Sequence, residues 1–206
     1  NYDVTLHMKS MTDPTVSYDM VPNEALISLY EPGDVRLEMM TYVGEPTEEQ
    51  YAGKSFTACT KYCAYKSIAD TKERRCDPFV LRCSEMYLIH AEALCNKGNL
   101  AGAAADLKAI EARALGVGES AVTIHYTDAA SLANLIEKER IKELCFEGHR
   151  LFDIIRLGHD LVRPDCTTST TKTIKYPDHR FILPICQMEM QSNENMVQNE
   201  GYSSLY

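Results

Sequence analysis

Two consecutive helical patterns joined by a Gly-Asn turn constrain the fold of this chain more than any other stretch. In the first pattern almost every direction around a helical wheel is apolar, and only Glu85 and Glu92 interrupt it strongly. A helix that is apolar nearly all round is typical of a buried position. Gly98 can end this helix and Asn99 can cap the next one, so we predict a helical hairpin over residues 82–114.

The second helix of this hairpin has one packed face, and a third helical pattern follows it. Apolar residues in the second helix recur at a spacing of three or four, at Ala103, Leu107, Ile110 and Ala114. This spacing places them on one side of the helix, and the small alanines permit close approach of a neighbour. The third pattern begins at a cap, Thr127 or Asp128, and Gly158 stands just past its end. We therefore predict a long helix over residues 128–157.

The remaining segments complete a mainly α fold with irregular loops and small β-hairpins. Residues 1–80 contain short extended runs and turn signals, which favour an irregular, partly β segment packed on the helices. Residues 159–179 have the polar composition of a loop. A short strand, FILPI, opens the tail at residues 180–206. We predict that residues 1–80 and the helical region 81–206 form one structural unit.

The stretch ERIKELCFEGHRLFDIIR carries charged residues at regular steps of three and four. On a helical wheel one core face within about 100° holds Ile141, Leu144, Cys145, Gly148, Phe152 and Ile155. Gly148 lies near the middle of that face, where it costs about 1 kcal/mol of helix propensity and predicts close approach by another helix. An adjacent arc of about 80° holds the charged residues Arg140, Glu143, Glu147 and Arg150.

Three interpretations of this charged arc compete. A carboxylate-bridged metal site uses Glu-x-x-His pairs on facing helices, whereas Glu147 precedes His149 at the wrong spacing. A general acid or base needs a carboxylate outside ion pairs, whereas the flanking arginines would hold both Glu side chains ionised. We favour a structural charged seam, in which arginines bind carboxylates in two-point geometry and reach the hairpin. The charged seam comprises Glu85, Glu92, Arg140, Glu143, Glu147 and Arg150.

Charge, hydropathy and motifs exclude several functions. The net charge of −9 argues against a nucleic-acid partner. No apolar run approaches the ~20 residues that span a bilayer. The sequence contains no GxSxG, HExxH, Walker or GxGxxG motif, and its six histidines are scattered without ligand spacing. We therefore expect a protein that is not an enzyme, with no catalytic residue, no metal and no cofactor.

The eight cysteines contain no CxxC pair, so the strongest zinc and redox signals are absent. Cys83, Cys95 and Cys145 lie in helical patterns, where a free cysteine behaves as a small hydrophobe. We expect mostly reduced, structural cysteines. A Cys59–Cys63 or Cys63–Cys76 disulfide is the alternative.

Four motifs follow one another along the chain: RCSEMYLIHAEALCNKGNLAGAAADLKAIEARA, EKERIKELCFEGHRLFDIIRLG, FILPI and NENMVQNEGY. In this order and spacing they resemble the C-terminal part of the SusD/RagB family of surface lipoproteins. GDVR at 33–36 also resembles a short Asp-x-Arg element that lies upstream in that family. The chain departs from the family pattern at Cys186, Glu194 and Glu200, which stand where proline is common. These changes loosen the tail but touch no chemical group.

The resemblance implies tetratricopeptide-like helix pairs decorated by loops and small hairpins. It also implies capture of oligosaccharide or another nutrient at the surface of a Gram-negative cell, with no bond made or broken. The nutrient would pass to a SusC-type TonB-dependent outer-membrane transporter, and an N-terminal lipid anchor outside this chain would hold the protein at that membrane. Because the chain starts at Asn1 without methionine, we expect a truncated C-terminal piece. That piece would act mainly as scaffold and bind glycans weakly or not at all.

The chain offers few candidates for glycan contact. It has no tryptophan, and most of its 12 tyrosines lie in predicted structural segments, such as Tyr87 in the buried helix. Tyr18, Tyr30 and Tyr42, in the turn-rich N-terminal third, are the candidates that remain. The main alternative function is a tetratricopeptide-type protein–protein interaction module, with the helix pair as its groove. It is less favoured because the first helix of the hairpin is predicted to be covered.

Overall fold

The computed structural model describes residues 22–43, 55–57, 59, 61, 79–164 and 170–202. These ranges are mainly helical, which confirms the predicted fold class. They belong to two compact units, residues 1–148 and residues 149–206. None of the helices in the described ranges has the length and hydropathy of a membrane span.

The first unit contains four α-helices and a short β-hairpin within the described residues. The helices are α1 (Glu24–Ile27), α2 (Cys83–Asn96), α3 (Leu100–Ala114) and α4 (Ala129–Leu144). Two 3₁₀ turns, Val35–Met40 and Glu119–Ala121, lie between them. Strands β1 (Thr41–Val43) and β2 (Ser55–Thr57) pair antiparallel, with Tyr42 opposite Phe56.

The predicted helical hairpin is confirmed in α2 and α3. Gly98 follows α2 with a left-handed φ of 80°, and the Asn99 amide then donates to the Leu94 carbonyl at 2.9 Å. This hydrogen bond satisfies a carbonyl that a helix end would otherwise leave unpaired. The Asn99 side chain accepts a hydrogen bond from the Gly102 amide at 3.1 Å and so caps α3.

The core of the first unit lies among α2, α3 and α4. The predicted face of α3 is buried, with Ala103, Leu107, Ile110 and Ala114 no more than 3% exposed. Small side chains at the helix contacts allow the backbones to approach closely, as the alanine pattern predicts. The buried cluster comprises Leu88, Ala91, Cys95, Ala103, Leu107, Ile110, Leu132, Ile136 and Leu144.

Helix α2 is not buried on every side, so that prediction is wrong. Met86, Tyr87 and Ile89 are 46%, 42% and 47% exposed. Within the described residues, α3 and α4 cover only the face that carries Leu88 and Ala91. An apolar side chain gains from burial only where another element covers it, and the pattern of one helix carries no information about its neighbours.

Helix α4 starts at its predicted cap but ends well before its predicted terminus. Asp128 and Ser131 form a reciprocal capping box, with the Ser131 amide donating to Asp128 Oδ1 at 2.7 Å. The single helix predicted over residues 128–157 is nevertheless wrong. Phe146 and Gly148 adopt left-handed backbone, with φ of 62° and 85°, and interrupt the helix after Leu144.

Gly148 serves a different purpose from the one predicted. A Cβ added at this position would meet no atom within 4 Å, so no neighbouring helix approaches it closely. The glycine is instead suited to its φ of 85°, a conformation that costs side-chain-bearing residues free energy. Because the apolar spacing continues past this turn, periodicity alone does not reveal it. Phe152, predicted to share a core face with α4, is 71% exposed.

The second unit is built from short elements. They are α5 (Arg150–Leu157), β3 (Leu161–Val162), β4 (Thr173–Ile174), a 3₁₀ turn (His179–Phe181) and α6 (Gln187–Ser192). Gly158 ends α5 in a left-handed conformation, as predicted. The predicted loop at 159–179 contains the antiparallel pair of β3 and β4, whose strands are two residues long. No strand forms at FILPI, which runs from the 3₁₀ turn into extended backbone, and α6 was not predicted.

Candidate functional site

Ionisable side chains converge around the C-terminal turns of α4 in the first unit. This ionic cluster comprises Asp34, Arg36, Lys61, Arg82, Arg113, Glu139, Lys142, Glu143 and Glu147. Three of its acidic residues, Asp34, Glu139 and Glu143, are no more than 4% exposed. Burial of a charge is costly unless it is paired, so the pairing in this cluster decides whether the fold is stable.

The GDVR element positions the first arginine of the cluster. Gly33 turns the chain with a φ of 91°, and the Asp34 side chain then accepts a hydrogen bond from the Arg36 amide at 2.9 Å. The same carboxylate receives Arg36 Nε at 2.9 Å and Nη2 at 2.7 Å. This two-point pair fixes the plane of the guanidinium, as arginine forks do with carboxylates. The remaining Nη1 is thereby presented to α4.

Arg36 joins two carboxylates on successive turns of α4. Its Nη1 donates to Glu139 Oε1 at 2.6 Å and to Glu143 Oε2 at 2.8 Å. Residues four apart lie on the same face of a helix, so one guanidinium can reach both. Lys142 Nζ lies 2.5 Å from the other Glu139 oxygen as an ion pair, although the contact lacks hydrogen-bond geometry.

Two further arginines complete the surroundings of Glu143. Arg82, just before α2, donates from Nη1 to Glu143 Oε1 at 2.6 Å. It also forks onto Glu147, with its Nε at 2.8 Å from one oxygen and Nη2 at 2.7 Å from the other. Arg113 near the end of α3 donates from Nη2 to both Glu143 oxygens, at 2.6 and 2.7 Å. Lys61 pairs with Glu147.

The last carbonyls of α4 are also satisfied by side chains. The Tyr30 hydroxyl donates to the Lys142 carbonyl at 2.9 Å, and Lys61 Nζ donates to the carbonyls of Glu143 and Cys145 at 2.8 and 3.0 Å. The final turn of a helix lacks backbone donors for these oxygens. Cationic donors suit this end because the helix dipole is negative there.

Mutual pairing keeps the cluster ionised. Burial alone would raise the pKa of Glu143, but the charges of Arg113, Arg36 and Arg82 and their hydrogen bonds lower it to about 2. Burial opposes the charge of Asp34 too, yet its bonds with Arg36 lower its pKa. Burial would lower the pKa of Arg36, whereas Asp34 and Glu139 raise it. A carboxylate held ionised in this way is poorly suited to exchange protons near neutral pH. The cluster therefore resembles a structural brace and not an acid–base centre.

The six residues of the predicted charged seam do not form one continuous seam in the structure. Glu143 and Glu147 lie in the ionic cluster, but their cations are Arg36, Arg82, Arg113 and Lys61. Arg140 lies 4.0 Å from Glu85 across the α4–α2 contact, so this part of the seam does reach the hairpin. Glu92 lies on α2, where its charge adds to burial in raising the pKa of the Cys95 thiol. Arg150 is exposed and belongs to the second unit.

The structure describes the side chain of only one of the three predicted tyrosines, Tyr30. Tyr30 is only 7% exposed, its hydroxyl contacts Lys142 and Cys145, and Arg36 lies 5.8 Å above its ring. Its burial and these contacts leave little of the ring for a sugar, so Tyr30 is a structural residue. Tyr42 lies in β1 with its side chain outside the described part, and Tyr18 lies outside the described residues altogether.

Five cysteines in the described ranges form no disulfide: Cys59, Cys83, Cys95, Cys145 and Cys186. The alternative Cys59–Cys63 disulfide is therefore not formed, whereas Cys63 and Cys76 lie outside these ranges and their pairing stays a prediction. Within the described residues, no group of three or more His, Cys, Asp or Glu side chains is arranged to hold a metal ion.

In the second unit the tail motif NENMVQNEGY is hydrogen-bonded to the FILPI segment, and we call these contacts the tail fastening. The Gln198 side chain accepts from the Ile185 amide at 2.8 Å and donates to the Ile185 carbonyl at 2.9 Å, as a neighbouring strand would. Asn199 Nδ2 donates to the Leu183 carbonyl at 2.7 Å. A Cβ at Gly201 would lie 2.4 Å from the His179 ring, so only glycine fits there. These contacts join FILPI to the QNEGY end of the tail motif.

Residues 176–181, which follow β4, form an aromatic loop next to the tail fastening. Tyr176 is 42% exposed, and its ring centroid lies 5.7 Å from that of Phe181 at an interplanar angle of 51°. Its amide donates to Asp160 Oδ1 at 2.9 Å. Asp178 and Arg180 form a two-point pair with both contacts at 2.8 Å, which lowers the pKa of Asp178. A loop is predicted over residues 159–179, but none of these side chains is singled out, because they follow no motif.

The chain matches known proteins along most of its length. The SusD family model matches residues 30–202. No curated protein matches the chain. A Bacteroides vulgatus ATCC 8482 structure, provisionally named as a sugar binding protein, is 26% identical with a TM-score of 0.71, over 96% of this chain and 42% of its own.

Two further solved structures are named as SusD superfamily proteins. One, also from Bacteroides vulgatus ATCC 8482, is 29% identical with a TM-score of 0.60, over 84% of this chain and 36% of its own. The other, from Bacteroides thetaiotaomicron VPI-5482, is 24% identical with a TM-score of 0.69, over 95% and 44%, and supports the fold alone. This chain thus spans less than half the length of each of these structures. With a family model matching residues 30–202, the chain belongs to the SusD family.

Proposed function

We propose that this chain is part of a cell-surface protein that binds oligosaccharide nutrients and leaves them chemically unchanged. The family match over residues 30–202 is the observation that carries the proposal. Two similar structures are themselves named for sugar or carbohydrate binding. The ionic cluster is consistent with this view, because its carboxylates are buried and tied up in ion pairs instead of being poised for proton transfer.

The proposal includes a location and a partner. The protein is held at the outer membrane through a lipid anchor outside this chain, and it passes its ligand to a SusC-type TonB-dependent transporter. Family membership is the support for both statements. Surface proteolysis of intact cells and co-purification with the transporter test them. Resistance to added protease together with an absence of the transporter from the purified complex would contradict this part of the proposal.

The part played by this chain is mainly that of a scaffold. It spans less than half of its solved relatives, and its most concentrated set of polar contacts braces α2, α3 and α4 internally. We therefore place it as the C-terminal part of a longer protein, whose remaining part supplies most of the ligand surface. The 206-residue chain alone should bind glycans no more tightly than millimolar affinity, which corresponds to about −4 kcal/mol.

Calorimetry distinguishes these statements. The full-length protein and the 206-residue chain are each titrated with maltohexaose, xylohexaose, cellohexaose and mannohexaose. Chromatography of the sugars after incubation then detects any cleavage. Binding by the full-length protein without cleavage supports the proposal. Micromolar binding by the chain alone would contradict its scaffold role, and shortened sugars would contradict the non-catalytic function.

One observation favours the alternative of a tetratricopeptide-type protein–protein interaction module. The exposed face of α2 carries Met86, Tyr87 and Ile89, and exposed apolar patches are common at interaction surfaces. On this alternative, Ile89→Glu abolishes binding of the purified transporter and leaves sugar binding by the full-length protein unchanged. If Ile89→Glu binds the transporter as the unaltered protein does, this face is not the interaction surface.

A further inference from the structure

The second unit contains an aromatic ring that is both exposed and held in place. Tyr176 is 42% exposed, and it is fixed by contacts from three parts of its own unit. We propose that Tyr176 is the stacking platform of a sugar-binding subsite in this unit, with Asp160, Asp178 and Arg180 as hydrogen-bonding partners for the sugar hydroxyls. This inference rests on the proposed function. It adds a second, weaker sugar-binding site, within this chain, to the ligand surface proposed for the rest of the protein.

The fixed orientation of Tyr176 is the first argument. Its ring packs against the buried ring of Phe181 at a centroid distance of 5.7 Å. A Cβ at Gly158 would lie 3.5 Å from the Tyr176 ring, so this edge rests close to the main chain. The Tyr176 amide is bound to Asp160 at 2.9 Å. A ring that is immobilised before binding loses little conformational entropy when a ligand stacks on it.

The chemistry of a pyranose fits such a ring. The C–H bonds on one face of the sugar present an apolar, weakly positive surface. The face of an aromatic ring carries the negative end of its quadrupole, so the two surfaces attract. The hydroxyl groups around the sugar then need donors and acceptors at the edge of the ring. Ligand sites combine aromatic lining with a few well-placed polar groups in this way.

Polar groups with fixed geometry stand on the same loop. Asp178 accepts from Arg180 Nε and Nη2, both at 2.8 Å. A guanidinium has five N–H donors and a carboxylate oxygen accepts more than one hydrogen bond, so both groups retain capacity beyond this pair. Asp160 already accepts the Tyr176 amide hydrogen, which places a further carboxylate at the main chain of this residue. Planar, paired side chains suit the adjacent hydroxyls of a sugar because each can contact two of them.

Two other exposed aromatic residues, Tyr87 and Phe79, lack this combination. Tyr87 is 42% exposed as well, next to Met86, Ile89 and the exposed His90, but within the described residues no aromatic ring packs against it as Phe181 packs against Tyr176. Phe79 lies 5.7 Å beneath the guanidinium of Arg82, which covers part of its face. Tyr87 is therefore a matched control for Tyr176, because it is the same residue type with the same exposure.

The absence of tryptophan from the sequence gives a direct optical test. Tyr176→Trp introduces a single tryptophan at the proposed platform, and Tyr87→Trp introduces one at the control position. Each 206-residue variant is titrated to tens of millimolar with the four hexasaccharides used above. We expect a saturable change in emission for Tyr176→Trp with at least one sugar, and none for Tyr87→Trp. Equal responses, or no response at position 176 to any of the sugars, would overturn the proposal.

Affinity measured by NMR in the 206-residue chain tests the same site independently. NMR line broadening of the bound sugar reports its affinity for the 206-residue chain and for the full-length protein. Tyr176→Ala should weaken binding by the 206-residue chain about tenfold, whereas Tyr176→Phe and Tyr87→Ala should stay close to the unaltered chain. Retention of the circular dichroism spectrum and melting temperature excludes unfolding as the cause. Tyr176→Phe remains informative if Tyr176→Ala fails to fold, since it keeps the ring and must keep the binding.

The outcomes separate this subsite from the proposed function. If the full-length protein binds a sugar and Tyr176→Ala leaves the weak binding of the 206-residue chain unchanged, the subsite is wrong and the proposed function stands. If the full-length protein binds none of the four sugars, the proposed function loses its support for these glycans, and the subsite falls with it.

Discussion

Arg36 and Glu143 form a buried ion pair across 107 positions of sequence, with 2.8 Å between Nη1 and Oε2. Neither residue is more than 4% exposed. Their pairing ties the GDVR turn to α4, and Glu143 in turn binds the arginines before α2 and at the end of α3. A cluster of this kind is most sensitive to the loss of one member, because the partner charges then remain buried without compensation.

Removing the charge at the centre of the cluster should destabilise the first unit strongly. Glu143→Gln leaves Arg36 buried beside one fewer carboxylate, and we expect the free energy of unfolding to fall by about 3–5 kcal/mol. Urea denaturation followed by circular dichroism measures the loss. Arg150→Ala is the control, since this exposed residue should cost about 1 kcal/mol or less. Similar losses in the two variants would show that the cluster does not brace the fold.

The same residue predicts how stability depends on pH. The pKa of Glu143 is lowered from 4.5 to about 2 in the folded protein. A lowered pKa contributes stability that is present above the unfolded value and is lost as pH falls through the folded value. Between pH 4.5 and 2 the protein should therefore lose on the order of 3 kcal/mol through this group.

Asp34 titrates in the same direction, whereas burial raises the pKa of Glu111, whose contribution is lost as pH rises. Urea midpoints measured from pH 2 to 6 test the assignment to Glu143. The slope below pH 4.5 should be shallower in Glu143→Gln than in the unaltered protein. Parallel profiles would assign the acid sensitivity to other carboxylates.

Two glycine substitutions should have opposite effects. Gly148→Ala has ample space but forces alanine to a φ of 85°, which costs about 1–2 kcal/mol. Gly118 has a φ of −70° and ψ of 150°, and the nearest atom to an added Cβ is Ser120 Oγ at 3.7 Å. Gly118→Ala should therefore stabilise by about 0.4–1 kcal/mol through the unfolded state. Thermal melting of both variants checks the prediction, and a stabilised Gly148→Ala would contradict the left-handed turn.

The fastening of the tail depends on an amide with both a donor and an acceptor. Gln198→Glu keeps an oxygen for the Ile185 amide but places a second oxygen against the Ile185 carbonyl. We expect a loss of about 1–3 kcal/mol, seen as faster hydrogen exchange of the Ile185 amide. Gln191→Glu on the exposed side of α6 is the control and should change stability by less than about 0.5 kcal/mol. Unchanged exchange at Ile185 in Gln198→Glu would count against the fastening.

Local signals account for the parts of the fold that the sequence predicts correctly. Gly98, Asn99 and Asp128 act on backbone groups within a few residues, so their effects on helix ends can be read from the chain. The packed face of α3 likewise follows from its own spacing. The turn after Leu144 cannot be predicted in this way, because the apolar spacing continues through it. Phe146 is also not a residue type that indicates a positive φ.

The ion-pair partners in the ionic cluster cannot be predicted from the sequence for a different reason. The arc of Glu143 and Glu147 is visible on a helical wheel, but Arg36 and Arg82 lie 107 and 61 positions away from Glu143. No local rule chooses among 21 lysines and arginines. The wheel instead suggested Arg140 and Arg150. Arg140 lies in α4 and does reach Glu85, whereas Arg150 shares the arc only if one helix runs through residue 148. The misplacement of Arg150 and the error in the helix end therefore have one cause.

The carbonyls at the end of α4 have a consequence for the order of events in folding. They accept bonds from Tyr30 and Lys61, which lie 112 and 82 positions from their acceptors, whereas the α2–α3 hairpin closes within a short span of chain. Closing a long span costs more entropy, so this junction should assemble after the rate-limiting step. Tyr30→Phe should then accelerate unfolding in stopped-flow experiments and leave the refolding rate nearly unchanged. The contacts at the C-terminal end of α4 would then determine how slowly the native state unfolds, and have little influence on how fast it forms.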